Sequence, residues 1–195
     1  MSNSRIGSRQ VRAVPTELKT KREDGENPII EGYFAVFNSN YDIGAGMTES
    51  VAPGAFSQSL RENDVRALVN HDSTLVLGRT SARTLELHED DRGLWGRIQV
   101  NPNDRAAMDL YERVSRGDVD GCSFGFDIRD QETEFLENGD IHWTLKDVDL
   151  GEVSCCTFPA YEATNIEARS CERDETAKRQ MAAWREKMLN KLKEA

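Results

Sequence analysis

Three residues that lie far apart in the chain could together carry out nucleophilic catalysis: His71, Ser123 and Glu152. A serine hydroxyl is a weak nucleophile until a neighbouring base takes its proton. Gly121 and Gly125 flank Ser123. Flanking glycines remove side-chain bulk beside the attacking oxygen, permit positive φ and leave backbone N–H groups free to face a developing oxyanion. The pattern predicts a nucleophilic serine, and the alternative interpretation is a tight turn that opens a strand.

His71 and Glu152 stand where a base and an acid could support that serine. His71 follows a predicted buried strand, and a histidine at the tip of such a strand can present its ring to a cleft. The alternative is a half-exposed loop histidine. Glu152 lies within a largely apolar run, where burial of a carboxylate is costly unless it has a partner. A charge at such a position is often functional, and a structural ion pair is the alternative.

Two other hydrolase classes fit the sequence less well. The nucleophile elbow of α/β-hydrolases is followed by a helix, whereas Phe124, Phe126 and Ile128 alternate with other residues in the period of a strand. A cysteine hydrolase could use Cys122, whose thiol is intrinsically the better nucleophile. In a strand, however, the Cys122 side chain points to the face opposite that of Ser123.

Strands dominate the elements that must position these residues, so we predict an α+β, mostly β fold. Alternation and apolar runs predict strands at 29–37, 65–69, 75–79, 84–88, 94–100, 124–128, 141–148 and 150–161. Helices are predicted from Pro53 to about Asn63 and from Asp104 to Gly117, the second with a capping aspartate and a closing glycine.

The chain divides into a body, residues 28–169, and two polar ends. Residues 1–27 are polar and basic with little periodicity, which predicts a flexible arm. Residues 170–195 predict an amphipathic helix, which we expect to serve a partner or self-association. Its apolar face consists of Ala177, Met181, Trp184, Met188 and Leu192.

Charge and composition narrow the possible partners. Residues 1–22 carry six basic and one acidic side chains and residues 172–195 seven and five, so the ends sum to +7. Because the net charge is -10, residues 23–171 carry -17, which argues against nucleic-acid binding and suits a positively charged partner. No run is apolar enough to span a bilayer or to act as a signal peptide, so we expect no membrane association and a cytosolic location.

The cysteines predict no cofactor site. They lack the spacing of metal ligands and two of them are adjacent, which indicates reduced thiols in a cytoplasmic compartment. They are Cys122, Cys155, Cys156 and Cys171. We therefore expect neither a metal nor an organic cofactor.

Five motifs in order along the chain resemble the prohead maturation proteases of tailed bacteriophages. They are EGYFAVFN at 31–38, PGAF at 53–56, NHD at 70–72 with LGR at 77–79, SFGF at 123–126, and EVS at 152–154 with FPAY at 158–161. The resemblance covers roughly residues 28–168. It implies a fold similar to the herpesvirus assembly proteases, which is a closed, mostly antiparallel β-barrel surrounded by helices.

The resemblance also implies a role. Members of this family are packaged inside the procapsid in the host cytoplasm, cleave the scaffolding segment of the major capsid protein precursor and trim themselves. Carried over to this sequence, Ser123 is the nucleophile, His71 the general base and Glu152 the acidic third member. His142 is an alternative third member, since herpesvirus assembly proteases use a second histidine after the serine.

Two questions stay open at the level of sequence. The oxyanion donors are unassigned, with backbone N–H groups near Gly125 and the guanidinium of Arg79 as candidates. The alternative function is a non-catalytic scaffold or capsid-interaction protein, in which the acidic body and the terminal helix would do the binding.

Overall fold

The structure is a computed structural model that describes residues 5–6, 9–14, 18–22, 27–44, 46–158 and 182. It contains eleven strands and two helices in these ranges. The strands are β1 Arg9–Val14, β2 Lys19–Lys21, β3 Ile29–Val36, β4 Tyr41–Gly44, β5 Met47–Val51, β6 Arg66–Val69, β7 Asp72–Arg79, β8 Leu85–Glu89, β9 Gly93–Gln99, β10 Gly121–Phe135 and β11 Ile141–Cys156. The helices are α1 Ser57–Glu62 and α2 Arg105–Arg116.

Within the described ranges the strands form two sheets. The larger has the order β1-β10-β11-β5-β4, with β6 paired to β11 and β7 paired to β6, and the smaller has the order β2-β3-β9-β8. Most pairs are antiparallel, but β11 runs parallel to both β5 and β6. The pairing with β6 places the end of that strand, and the turn after it, beside the last residues of β11.

The β10–β11 hairpin is the longest element and the frame of the larger sheet. Alternate side chains of β10 enter the core, where Phe124 packs against both Phe56 and Phe126. The same core contains Leu145, Val148 and Leu150 of β11. Because side chains alternate in a strand, residues 121, 123 and 125 of β10 and 152, 154 and 156 of β11 share the opposite face.

Helix α2 ends just before β10 and sets where that strand begins. Asp104 caps its N-terminus by accepting hydrogen bonds from the backbone N–H groups of Ala106 and Ala107. Gly117 ends it in the left-handed conformation with φ 80°, as the sequence predicts. Among the described residues no helix is both long and apolar enough to cross a membrane.

The α+β, mostly β class is confirmed, and three local expectations need correction. Residues 1–27 were expected to be a flexible arm, but they contain β1 and β2, each paired to a strand of the body. Residues 38–46, whose asparagine, aspartate and glycine content predicts a loop, contain the whole of β4, which pairs with β5. Ser123 lies inside the regular ladder of β10 rather than in a turn, and φ is not positive at Gly121 or Gly125.

The expected closed ring of strands is not found among the described residues, where hydrogen bonding gives two separate sheets. The predicted C-terminal helix, residues 170–195, lies outside the described residues except for Ala182.

Candidate active site

His71 is presented by a two-residue turn between β6 and β7. Val69 and Asp72 are paired across the turn, and Asn70 and His71 both have positive φ, 49° and 62°. Two consecutive residues with positive φ define a type I′ turn, which suits asparagine better than histidine. A left-handed histidine is strained by about 1–2 kcal/mol, and such strain clusters at functional sites.

Three hydrogen bonds, to the last residues of β11 and to Thr157 after it, fix this turn. The Asn70 N–H donates to the carbonyl of Cys155 at 3.0 Å, and the Asn70 side chain accepts from the N–H of Thr157 at 2.9 Å. The backbone N–H of His71 donates to Ser154 Oγ at 3.2 Å. The turn is therefore held over the last residues of β11, and the imidazole lies beside the side chains of that strand.

Glu152 holds the imidazole in one orientation. Its Oε1 lies 2.6 Å from His71 Nδ1, and its Oε2 accepts a hydrogen bond from Ser154 Oγ at 2.7 Å. The carboxylate is buried, with a relative exposure of 6%. An ionised carboxylate only accepts hydrogen bonds, so Nδ1 carries the proton and Nε2 carries the lone pair. This is the tautomer that a general base needs.

Gly125 makes room for that carboxylate. It lies opposite Glu152 in the β10–β11 ladder, and a Cβ at Gly125 would overlap Glu152 Oε1. The glycine of the SFGF motif therefore clears space for the third residue rather than for the serine hydroxyl. The sequence interpretation, in which the flanking glycines exposed the nucleophile, was wrong in its physical reason.

We predict that Gly125→Ala destabilises the fold by about 1–3 kcal/mol and separates Glu152 from His71. The matched control is Gly151→Ala, for which the three atoms nearest to an added Cβ all belong to the flexible end of the half-exposed Arg9 side chain. That control should change stability by no more than about 0.5 kcal/mol. Thermal unfolding and cleavage rates of both variants check the prediction, and equal losses in the two would contradict it.

The Ser123 side chain lies in β10, on the same face of the larger sheet as the side chains of Glu152 and Ser154 in β11. It is paired with Ser154, and side chains paired in this way have Cβ atoms about 4.5–5.5 Å apart. Its side chain is fully buried, at 0% exposure, because β1 covers it. The hydroxyl donates a hydrogen bond to the carbonyl oxygen of Arg12 in β1, at 2.8 Å.

The Cys156 side chain lies next to His71 Nε2, the ring nitrogen that does not contact Glu152. Its Sγ lies 3.6 Å from His71 Nε2. Burial, with a smaller contribution from the charge of Glu152, raises the pKa of the Cys156 thiol to about 12. Because the thiolate is the reactive form, a thiol with this pKa is a poor nucleophile at neutral pH.

The other residues singled out from the sequence lie elsewhere. Cys122 packs in the hydrophobic core, on the face opposite Ser123, as alternation predicts. His142 contacts Thr48 Oγ1 at 2.8 Å and Ser50 Oγ at 2.9 Å, so hydroxyls of β5 occupy both ring nitrogens. His142 and Ser154 are twelve positions apart along β11, and both described contacts of the His142 ring are with β5 rather than with His71 or Glu152. His142 is partly buried.

Arg79, a sequence candidate for the oxyanion site, is held by Asp64. Its guanidinium pairs with the Asp64 carboxylate, and this hydrogen bond holds the pKa of Asp64 below its ordinary value. Among the described residues no group of three or more histidine, cysteine, aspartate or glutamate side chains is arranged to hold a metal ion.

Sequence reasoning missed Ser154, Asn70 and Cys156 as parts of this site. The signal for two of them was present, because Glu152, Ser154 and Cys156 share one face at the end of β11, where the intervening residues are small or apolar. The role of Asn70 depends on the turn type, which follows from the pairing of β6 with β7. That pairing is not visible in the local sequence.

A histidine held by a buried carboxylate beside serine hydroxyls is the arrangement of serine hydrolases. The family model for caudovirus prohead serine proteases matches residues 16–179. This chain therefore belongs to the caudovirus prohead serine protease family.

Two individual proteins are similar to the chain. The prohead protease of Enterobacteria phage HK97 is 34% identical over 156 residues, which are 78% of this chain and 64% of that protein. This chain thus spans 64% of the length of that relative. The structure of the bacteriophage T4 capsid assembly protease is similar with a TM-score of 0.44 and 12% identity, covering 77% of this chain and 99% of the other.

Proposed function

We propose that this protein is a serine endopeptidase that cleaves the major capsid protein precursor during procapsid maturation. The observation that carries the proposal is the bond between His71 Nδ1 and the buried Glu152, which leaves Nε2 as a base beside the face that bears Ser123. Membership of the prohead serine protease family supports the substrate class.

In the proposed reaction Ser123 Oγ attacks the scissile carbonyl carbon while His71 Nε2 takes the hydroxyl proton. The tetrahedral intermediate collapses as the C–N bond breaks, and the imidazolium gives that proton to the leaving amine. Water then hydrolyses the acyl-enzyme by the same proton transfers in the same site. Glu152 keeps the ring in its productive tautomer and stabilises the imidazolium by its charge.

Ser123 is the best candidate among the neighbouring nucleophiles. Ser154 Oγ is occupied by Glu152 Oε2 and by the His71 N–H, so its role is to position the other two residues. Cys156 keeps its proton at neutral pH, because burial raises its pKa to about 12. Ser123 instead faces a backbone carbonyl, which is the group that a peptidase nucleophile must meet.

The finer aspects of the role are part of the same proposal. The substrates are the scaffolding segment of the capsid protein precursor and the enzyme itself, and the reaction takes place inside the procapsid in the host cytoplasm. Self-association through the C-terminal segment and closure of the two sheets into a herpesvirus-protease-like barrel also remain predictions.

Co-expression with the cognate capsid protein precursor tests this function. We expect wild-type protein to convert the precursor to a shorter form and His71→Ala to leave it intact, because Ser123 then lacks a base. Intact-mass measurement of every product gives the cleaved bonds. The scaffold alternative would be favoured if the His71→Ala variant still supported conversion of the precursor and normal capsid maturation.

A further inference from the structure

Strand β1 covers the candidate nucleophile as an extended peptide would. It runs antiparallel to β10, with Ala13 opposite Ser123, and it forms one edge of the larger sheet. Addition of an extended strand to a sheet edge is a common mode of peptide binding. The Arg12 carbonyl is the one with which the Ser123 hydroxyl makes its described hydrogen bond.

One side chain anchors this strand. Among the β1 side chains whose exposure is described, Arg12 is the only one that is buried, at 8%. Its Nε donates to Glu49 Oε1 at 2.7 Å and its Nη2 donates to Glu49 Oε2 at 3.2 Å. Two parallel bonds between guanidinium and carboxylate give both strength and geometric selectivity.

The Glu49 carboxylate pairs with two guanidinium groups, those of Arg12 and Arg5. It is fully buried, at 0% exposure, and it also pairs with Arg5, whose guanidinium lies 4.2 Å from the centre of the Trp143 ring. One guanidinium is enough to neutralise one carboxylate. The position of Arg12 can therefore be taken by another cation while Glu49 retains its pair with Arg5.

We infer that β1 occupies the place of the substrate strand, and that Glu49 selects substrates with an arginine at the residue whose carbonyl meets Ser123. In a serine peptidase this residue is the one that the specificity pocket recognises. The inference rests on the proposed function, since it takes Ser123 as the nucleophile. In the present arrangement the hydroxyl proton is given to a carbonyl oxygen rather than to His71, so β1 also holds the enzyme inactive until it is displaced.

Two synthetic peptides test the selectivity without any change to the protein. The first has the sequence of residues 8–17, SRQVRAVPTE, and the second has glutamine in place of its arginine at the fifth position. We expect full-length enzyme to cleave the first between arginine and alanine at least about 10-fold faster, because the glutamine peptide leaves part of the charge-assisted bonding unmade. Equal rates, cleavage elsewhere, or cleavage of neither peptide would overturn the inference.

Variants of the full-length protein test separately whether β1 blocks the site and whether Glu49 selects arginine. Arg12→Gln weakens the hold of β1, and we expect cleavage of the arginine peptide to rise about 10-fold, whereas Arg12→Lys, which keeps the cation, should change it less. Glu49→Gln should reduce the preference for the arginine peptide over the glutamine peptide. A lower or unchanged rate in Arg12→Gln, with an unfolding temperature close to wild type, would show that β1 is a structural strand and would overturn the inference.

Two results distinguish a failure of this inference from a failure of the proposed function. If Ser123-dependent cleavage of the capsid protein precursor occurs without any preference for arginine, the inference about Glu49 fails and the function stands. If cleavage of precursor and peptides persists in a Ser123→Ala protein, the proposed function fails.

Discussion

Replacing Ser123 by alanine is expected to abolish cleavage of the capsid protein precursor while leaving a folded protein. The methyl group fits the space of the side chain and removes the attacking oxygen together with one hydrogen bond to the Arg12 carbonyl. That bond contributes only about 1 kcal/mol to stability, whereas loss of a peptidase nucleophile costs a factor on the order of 10⁴–10⁶ in rate. Co-expression followed by intact-mass measurement reports cleavage, and thermal unfolding reports stability.

Matched variants of the neighbouring nucleophiles make this prediction specific. Cys156→Ser and Cys122→Ala should retain cleavage, since the first thiol is protonated at neutral pH and the second lies in the core. Ser154→Ala should lose about 10-fold, because Glu152 and the His71 N–H each lose one hydrogen-bond partner. If Cys156→Ser abolishes cleavage while Ser123→Ala retains it, the nucleophile is the cysteine.

The sequence predicted the body of the fold well where apolar residues follow a clear period. The apolar runs at 29–37 and 94–100 correspond to β3 and β9, and Asp104 and Gly117 bound α2 as expected. Strand β1 could not be predicted in this way, because RQVRAV is short and places an arginine on each face, so that neither face is consistently apolar. Its conformation depends on pairing with β10, so tertiary contact overrides a polar, arm-like local pattern.

The sequence indicated which residues form the site, but not the strand pairings that bring them together. His71 and Glu152 were expected to meet, and they lie 2.6 Å apart, because β6 runs parallel to the end of β11. A pairing between segments more than 80 residues apart leaves no local trace in either segment. The burial of Glu49 was equally hidden, since MTESV reads as a polar segment until its pairing with β11 is known.

Glu152 and His142 are the two candidates for the third catalytic residue. We expect Glu152→Gln to impair cleavage severely and His142→Ala to impair it only mildly. Glutamine keeps the size of Glu152 but has no charge to stabilise the imidazolium. If its amide nitrogen faces Nδ1, it also selects the tautomer with the proton on Nε2, which cannot act as a base. We expect a loss on the order of 10²–10⁴ in rate.

His142 should matter much less, because the hydroxyls of Thr48 and Ser50 occupy both of its ring nitrogens at the far end of β11. Its replacement removes two hydrogen bonds, which is a cost of about 1–3 kcal/mol in stability rather than in the chemical step. The measurement is the rate of self-cleavage at equal expression, with thermal unfolding of both variants as the control. The reverse ranking would assign the third role to His142 and leave Glu152 as a structural partner of His71.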